Sequence, residues 1–163
     1  HITERPSSVE DRKEVVHWEI DTVIGHGSKD CIVTLVERAT GYLLIGKLPD
    51  RTTASLNKVT IKLIKNSPLP VKTITADNGT EFHQYKEIEK QTNVLFYFAT
   101  PHHSWERGSN ENASGLIRQY IPKRTSMKEL SQEGCIAIER RLNSRSRKRY
   151  GFKSPWDMKN EHV

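Results

Sequence analysis

Three carboxylates in this 163-residue chain sit where an ordinary solvated acid is not expected. Asp21 lies inside an apolar strand pattern, Asp77 at the junction of a β-branched run and a turn, and Glu111 on a helical segment that also carries Gly108, Asn110 and Asn112. Half-burying a carboxylate is costly unless something compensates, and a divalent cation is the strongest compensator. Oxygen donors at the ends of two neighbouring strands, joined by one from a helix, suit Mg²⁺ or Mn²⁺. Two such ions about 3.5–4 Å apart would stabilise both the attacking and the leaving oxygen of an in-line displacement at phosphorus, so the expected chemistry is phosphodiester cleavage or transfer. Asp77 has a competing structural use, because Asp before Asn78-Gly79 is a common turn builder.

The elements that must position these acids follow from periodicity. Residues 15–23 alternate with the period of two of a strand, which puts Asp21 on the same face as Glu19. A turn at Gly25-His26-Gly27-Ser28 leads to a second strand at 30–37, and Ala39-Thr40-Gly41 to a third at 42–48, giving three consecutive antiparallel strands. Pro49 and Asp50 break the pattern. Thr52 or Thr53 then caps a helix with Leu56, Val59, Leu63 and Ile64 at three- and four-residue steps. A short strand at 71–75 ends just before Asp77, a polar helix covers 81–91, and a fifth strand covers 94–98. Helices are expected at about 109–120 and 131–143, followed by a basic tail. The order predicts an α/β fold: a mixed five-stranded sheet, three antiparallel strands then alternating β/α units, with helices on both faces. Residues 1–14 are expected to be a linker or N-terminal arm and 15–163 one catalytic core.

Composition narrows the class further. Twenty-six Lys and Arg against 20 Asp and Glu leave a net charge of +6, which suits a polyanionic partner but also occurs in proteins that bind no nucleic acid. No apolar run approaches the length of a membrane span, and no signal peptide is visible. Cys31 and Cys135 fall in separate apolar segments and are expected to be buried thiols of a reducing compartment. The chain opens with His1 and enters a strand pattern early, so it is expected to be a piece of a longer protein.

Three segments carry a resemblance. His17-Trp18-Glu19-Ile20-Asp21-Thr22-Val23, Thr75-Ala76-Asp77-Asn78-Gly79-Thr80-Glu81-Phe82 and Trp105-Glu106-Arg107-Gly108-Ser109-Asn110-Glu111-Asn112 resemble the signatures of the DDE transposase and retroviral-integrase superfamily. The 33 residues between Asp77 and Glu111, together with residues 112–123 and the tail from Leu142 to Phe152, are similar to the bacterial Insertion Sequence Thirty family of transposases. The resemblance covers about residues 15–158. It implies a ribonuclease H-like fold in which Asp21, Asp77 and Glu111 are the catalytic and metal-holding residues for two Mg²⁺ or Mn²⁺ ions. It also implies metal-dependent DNA strand cleavage and strand transfer at mobile-element ends, with a homodimer or larger assembly holding element ends and target DNA. Glu19 and Glu106 match no catalytic position of the family. Two departures, Ser146 where proline is common and Trp105-Glu106 for a commoner Trp-Gln pair, touch the tail and loop and not the three acids.

The basic residues supply the expected DNA contacts. Six cations occupy residues 140–149 (Arg140, Arg141, Arg145, Arg147, Lys148 and Arg149), either a solvated face or a phosphate-binding one. Arg118, seven residues after Glu111 and on about the same helix face, would with Lys123 and Arg124 track DNA leaving the site. Asn78, His102 and His103 are candidates for an active-site loop. An adjacent His pair without a second pair at ligand spacing is a poor zinc site. Trp18, Trp105 and Trp156 are expected to be core or packing residues rather than base-stacking platforms. A bacterial cytoplasmic, nucleoid-associated location follows from the resemblance. The alternatives are a non-catalytic DNA-binding or assembly module of the same fold, or a related metal-dependent nuclease that cuts without joining.

Overall fold

The computed structural model describes residues 1–6, 14–27, 29–77, 79–100 and 108–161, with the backbone alone for Gly108, Asn110 and Glu111. Five strands, β1 (His17–Ile24), β2 (Cys31–Glu37), β3 (Leu43–Leu48), β4 (Thr73–Ala76) and β5 (Leu95–Phe98), form one sheet in the order β3-β2-β1-β4-β5. β1, β2 and β3 pair antiparallel as a meander, whereas β1–β4 and β4–β5 pair parallel. Parallel pairing demands crossover helices, and α1 (Thr53–Lys65) and α2 (Tyr85–Thr92) supply them. Thr52 caps α1 by accepting the Ser55 N–H at 3.2 Å.

Strand alternation then divides the core. Trp18, Ile20, Ile74, Ala76 and Phe96 pack on one face with Leu56 of α1 and Ile88 of α2. Val23, Ile32, Val36, Leu43 and Ile45 pack on the other with Ala113 and Ile117 of α3 (Gly108–Ile117) and with Cys135, Ile138 and Leu142 of α4 (Gln132–Asn143). The expected mixed sheet with helices on both faces is what forms. Cys31 and Cys135 are buried, one in each cluster, and burial pushes both thiols up to about 11.

Three segments differ from expectation. The helix expected at 81–91 is a 3-10 turn, Thr80–Phe82, followed by α2, because Phe82 turns fully into the core against Phe96, ring centroids 6.3 Å apart. The tail ends in a further helix, α5 (Pro155–Glu161). The described start of the N-terminal arm belongs to the fold: Ile2 and Arg5 are buried, and Arg5 Nη1 donates to Thr75 Oγ1 on β4 at 3.1 Å.

The outer edge of β3 is closed by side chains of α4 rather than by another strand. Leu43 N–H donates to Asn143 Oδ1 (2.9 Å), Asn143 Nδ2 to the Leu43 carbonyl (2.8 Å), Ile45 N–H to Glu139 Oε1 (2.9 Å) and Lys47 N–H to Gln132 Oε1 (2.8 Å). Spaced by seven and four residues, the three side chains lie along one helix face and satisfy an edge that would otherwise template aggregation. Asn143→Ala leaves two buried backbone groups unmatched and is expected to cost about 1–3 kcal/mol, read as a lower urea midpoint at unchanged slope.

Glu37, at the end of β2, organises the hairpin to β3. Its Oε1 accepts the N–H groups of Ala39 and Thr40 at 2.7 Å and the Thr40 hydroxyl at 3.0 Å, while Oε2 accepts the His17 N–H at 3.3 Å. Burial nevertheless outweighs these hydrogen bonds and pushes the carboxyl up to about 7 from 4.5. A folded value above the unfolded one means the group favours folding fully below pH 4.5 and loses that contribution as pH rises through about 7. Glu37→Gln is therefore expected to flatten the fall in stability from pH 5 to pH 8, measured by urea unfolding at each pH.

Candidate active site

β1 and β4 lie side by side and run parallel with Glu19 opposite Thr75. The paired ladder ends there; Asp21 lies two residues further along β1, and Asp77 is the first residue past the end of β4. Both fall on the odd-numbered face of their strands, since Ile20 and Ala76 point into the α1–α2 side of the core. That odd face is the one covered by α3, which packs on β1 and β2. Asp21 and Asp77 are both half-buried, and Asp77 stands just past the end of β4, where open α/β sheets bind ligands.

One oxygen of each aspartate is oriented by backbone. Asp21 Oδ1 accepts the Thr22 N–H at 2.9 Å, and Asp77 Oδ1 accepts the Gly79 N–H at 2.8 Å. Asp77 thus builds its turn, and that role fixes its side chain at the strand end. Glu111 lies in the first half of α3, so its helix reaches the face that carries the two aspartates. Asn78, His102, His103, Trp105 and Glu106 lie outside the described residues. Among the described residues no set of three His, Cys, Asp or Glu side chains is grouped as a metal centre, and the Glu111 side chain is not among them.

Two acids near the pair have clear partners. Glu19, buried on the face of Asp21, accepts from Arg38 Nη1 at 2.7 Å, with both side chains excluded from solvent. Glu81 accepts from the Thr22 hydroxyl at 3.3 Å and lies 3.7 Å from Arg51 Nη2. A β-carbon at Gly79 would stand 2.6 Å from Glu81 Oε2 and 2.8 Å from Asp77 Oδ1, so a side chain there would displace the ends of these two carboxylates. Sequence reasoning passed over Glu81 and Arg51. The signal was Glu81 placed two residues after a turn glycine, and it became legible only when the 3-10 turn swung that side chain towards β1.

The expected DNA-contact cations divide into two groups. Arg118 follows the last turn of α3 and donates to the carbonyls of Ile121 and Ile24, each at 3.4 Å, tying that helix to β1. Arg145 donates to Gln119 Oε1 (2.7 Å) and the Tyr120 hydroxyl (2.8 Å), and Arg147 to the carbonyls of Leu142 (2.7 Å) and Arg145 (2.9 Å). Arg149 lies over the Tyr150 ring, 4.5 Å from its centroid, and donates to the Arg38 carbonyl at 3.4 Å. Arg145, Arg147 and Arg149 thus tie the tail to the turn after α3, to the end of α4 and to the β2–β3 hairpin. Lys123, Arg124 and Lys148 project into solvent. Trp18 is buried as expected, whereas Trp156 is about half exposed and stacks under Lys159 Nζ, 3.8 Å from its ring centroid.

This strand order, an antiparallel meander followed by two parallel pairs with helices on both faces, is the fold of an integrase-type catalytic core. The catalytic core domain of BIV integrase superposes with a TM-score of 0.68 at 20% identity, covering 91% of this chain and 96% of that one. The chain belongs to the Integrase core domain family, which matches residues 11–104. It is 43% identical over 154 residues to the transposase for insertion sequence element IS4351 of Bacteroides fragilis, covering 94% of this chain and 47% of that protein. It is 36% identical over 155 residues to transposase InsI for insertion sequence element IS30A of Escherichia coli K12, covering 94% of this chain and 40% of that protein. The chain thus spans less than half the length of these relatives. Among the described residues no helix is long and apolar enough to cross a membrane.

Proposed function

We propose that this chain is the catalytic core of a DNA transposase, cutting and joining phosphodiesters at the ends of a mobile element. The observation that supports the reading is the parallel pairing of β1 and β4, since β1 carries Asp21, β4 leads directly into Asp77, and the helix that bears Glu111 packs on β1. The donor chemistry fits hard cations: two half-buried carboxylates, each with one oxygen fixed by a backbone N–H, and a third carboxylate available from α3. Asp21, Asp77 and Glu111 would hold two Mg²⁺ or Mn²⁺ ions. When bound, such ions supply charge neutralisation at the scissile phosphate and a strong nucleophile at neutral pH.

The protein's own part is alignment. Gly79 and Glu81 hold the Asp77 turn against β1, and the Glu19–Arg38 pair fixes the strand beneath Asp21. Hydrolysis at an element end releases a 3′ hydroxyl, which attacks a second phosphodiester in the target, so bond energy is exchanged and no external energy source is required. Exposed Lys123, Arg124 and Lys148 would contact phosphates, with Asn78, His102 and His103 in the active-site loop. A homodimer or larger assembly would hold two ends near the nucleoid of a bacterial cell.

The test is a Mg²⁺ or Mn²⁺ titration with a labelled element-end duplex and plasmid target. Joined products support transfer. Cut but unjoined DNA favours the nuclease reading, and DNA binding without cleavage at any metal concentration favours an assembly module.

A further inference from the structure

Phe152 stands at the tip of the basic tail with 69% of its surface exposed, more than any other large apolar side chain among the described residues. Its backbone is left-handed, φ 68°, directly after Gly151 at φ 62°. Lys153 N–H donates to the Tyr150 carbonyl at 3.2 Å, so residues 150–153 form a tight turn with two successive left-handed positions. Such turns favour Gly, Asn or Asp at both positions, and a bulky aromatic there is an outlier. Neither stability nor solubility explains a phenylalanine at this place.

The turn is also rigid. Phe152 N–H donates to the Arg147 carbonyl and Arg147 N–H to the Lys153 carbonyl, both at 2.9 Å. The Arg147 guanidinium is anchored on the Leu142 carbonyl at 2.7 Å, and Arg149 lies over Tyr150. Residues 145–153 contain Arg145, Arg147, Lys148, Arg149 and Lys153; Lys153 pairs with Glu161 of α5, and Lys148 is exposed. A small, largely enclosed pocket lies between Arg147, Arg149 and Tyr150 of the tail and Ser109 and Asn112 of α3, the helix that bears Glu111; Val36, Leu43 and Leu142 also line it, and Phe152 does not.

We propose that Phe152 is a DNA-contacting residue whose ring stacks on a base exposed at a break or distortion of the duplex, with Lys148 beside it on the backbone phosphates. The inference rests on the DNA-transfer reading above and adds to it a contact that no arginine of the tail supplies. A rigid aromatic in a cationic frame matches a partner with flat π-faces and a phosphate chain. A second copy of this chain, at net charge +6, would bring like charge to the same turn.

The experiment measures fluorescence anisotropy of the 163-residue chain on two labelled duplexes, one fully paired and one with a single-nucleotide gap. Phe152→Asn, which suits the left-handed turn, is expected to weaken binding to the gapped duplex about 10-fold and to the paired duplex less than about 2-fold, with a melting temperature equal to or above wild type. Phe152→Trp is expected to stay within about 2-fold of wild type on both duplexes. Equal affinity of Phe152→Asn and wild type for the gapped duplex overturns the proposal. So does a lower melting temperature in Phe152→Asn, which makes the ring structural, or a loss of self-association in sedimentation at unchanged DNA affinity. If the wild type binds neither duplex, the DNA-transfer reading itself fails and this contact fails with it.

Discussion

Replacing Asp77 by asparagine is expected to cut metal-dependent strand cleavage by about 1,000-fold, several kcal/mol of transition-state stabilisation at about 1.36 kcal/mol per decade, while the melting temperature holds or rises. The two effects separate because the residue has two roles. Asparagine keeps an Oδ1 that can accept the Gly79 N–H, now bonded at 2.8 Å, so the turn survives. It loses one of two carboxylate charges, one on β1 and one on the residue that follows its neighbour β4, and neighbouring like charges disfavour the folded state. Calorimetric titration of Mn²⁺ and a thermal melt of the same variant check both halves. Unchanged cleavage would remove Asp77 from the site, and a collapsed melting temperature would make it a turn builder only.

Arg38→Ala is expected to lower stability by about 3–5 kcal/mol, the largest single loss predicted for the fold. Arg38 and Glu19 are fully buried, and their 2.7 Å contact joins the start of the hairpin turn to β1 two residues before Asp21. Removing the guanidinium takes a charged partner at 2.7 Å away from a fully buried carboxylate. Replacing both residues by leucine is expected to cost less than Arg38→Ala, because it removes the stranded charge along with its partner. Urea unfolding of the single and double variants decides. A loss below about 1 kcal/mol in Arg38→Ala would place this pair with ordinary exposed ion pairs.

Local chemistry in the sequence determined the elements themselves. Alternation through residues 17–24 required a strand with Asp21 and Glu19 on one face, and β1 is that strand. Thr52 and Ser131 each cap a helix through a side-chain oxygen, as their positions before periodic runs imply. One local signal went unread: Ser154-Pro155-Trp156-Asp157 is a capping arrangement, with Ser154 Oγ accepting the Asp157 N–H at 3.1 Å and Asp157 Oδ2 accepting the Ser154 N–H at 3.0 Å.

The three acids were legible as a set only through the motifs around them, since nothing in their spacing alone says that β1, which carries residue 21, and β4, which leads into residue 77, become neighbours. That adjacency is decided by the strand order, which inserts β4 beside β1 and not beside β3, and strand order depends on long-range packing of two helix layers. The different fates of Glu19 and Asp21 were hidden for the same reason. Both share a strand face, yet one is neutralised by Arg38 from a turn 19 residues away while the other stands at the mouth of the sheet. The basic tail was legible as charge, but only the tertiary structure placed Arg145 on Gln119 and Tyr120 and Arg149 on the Arg38 carbonyl, and left Lys148 and Phe152 exposed, because those partners are brought in from turns distant in sequence. Sequence thus determined which residues could form each element and carry the chemistry, and the packing of both sheet faces decided which of them meet.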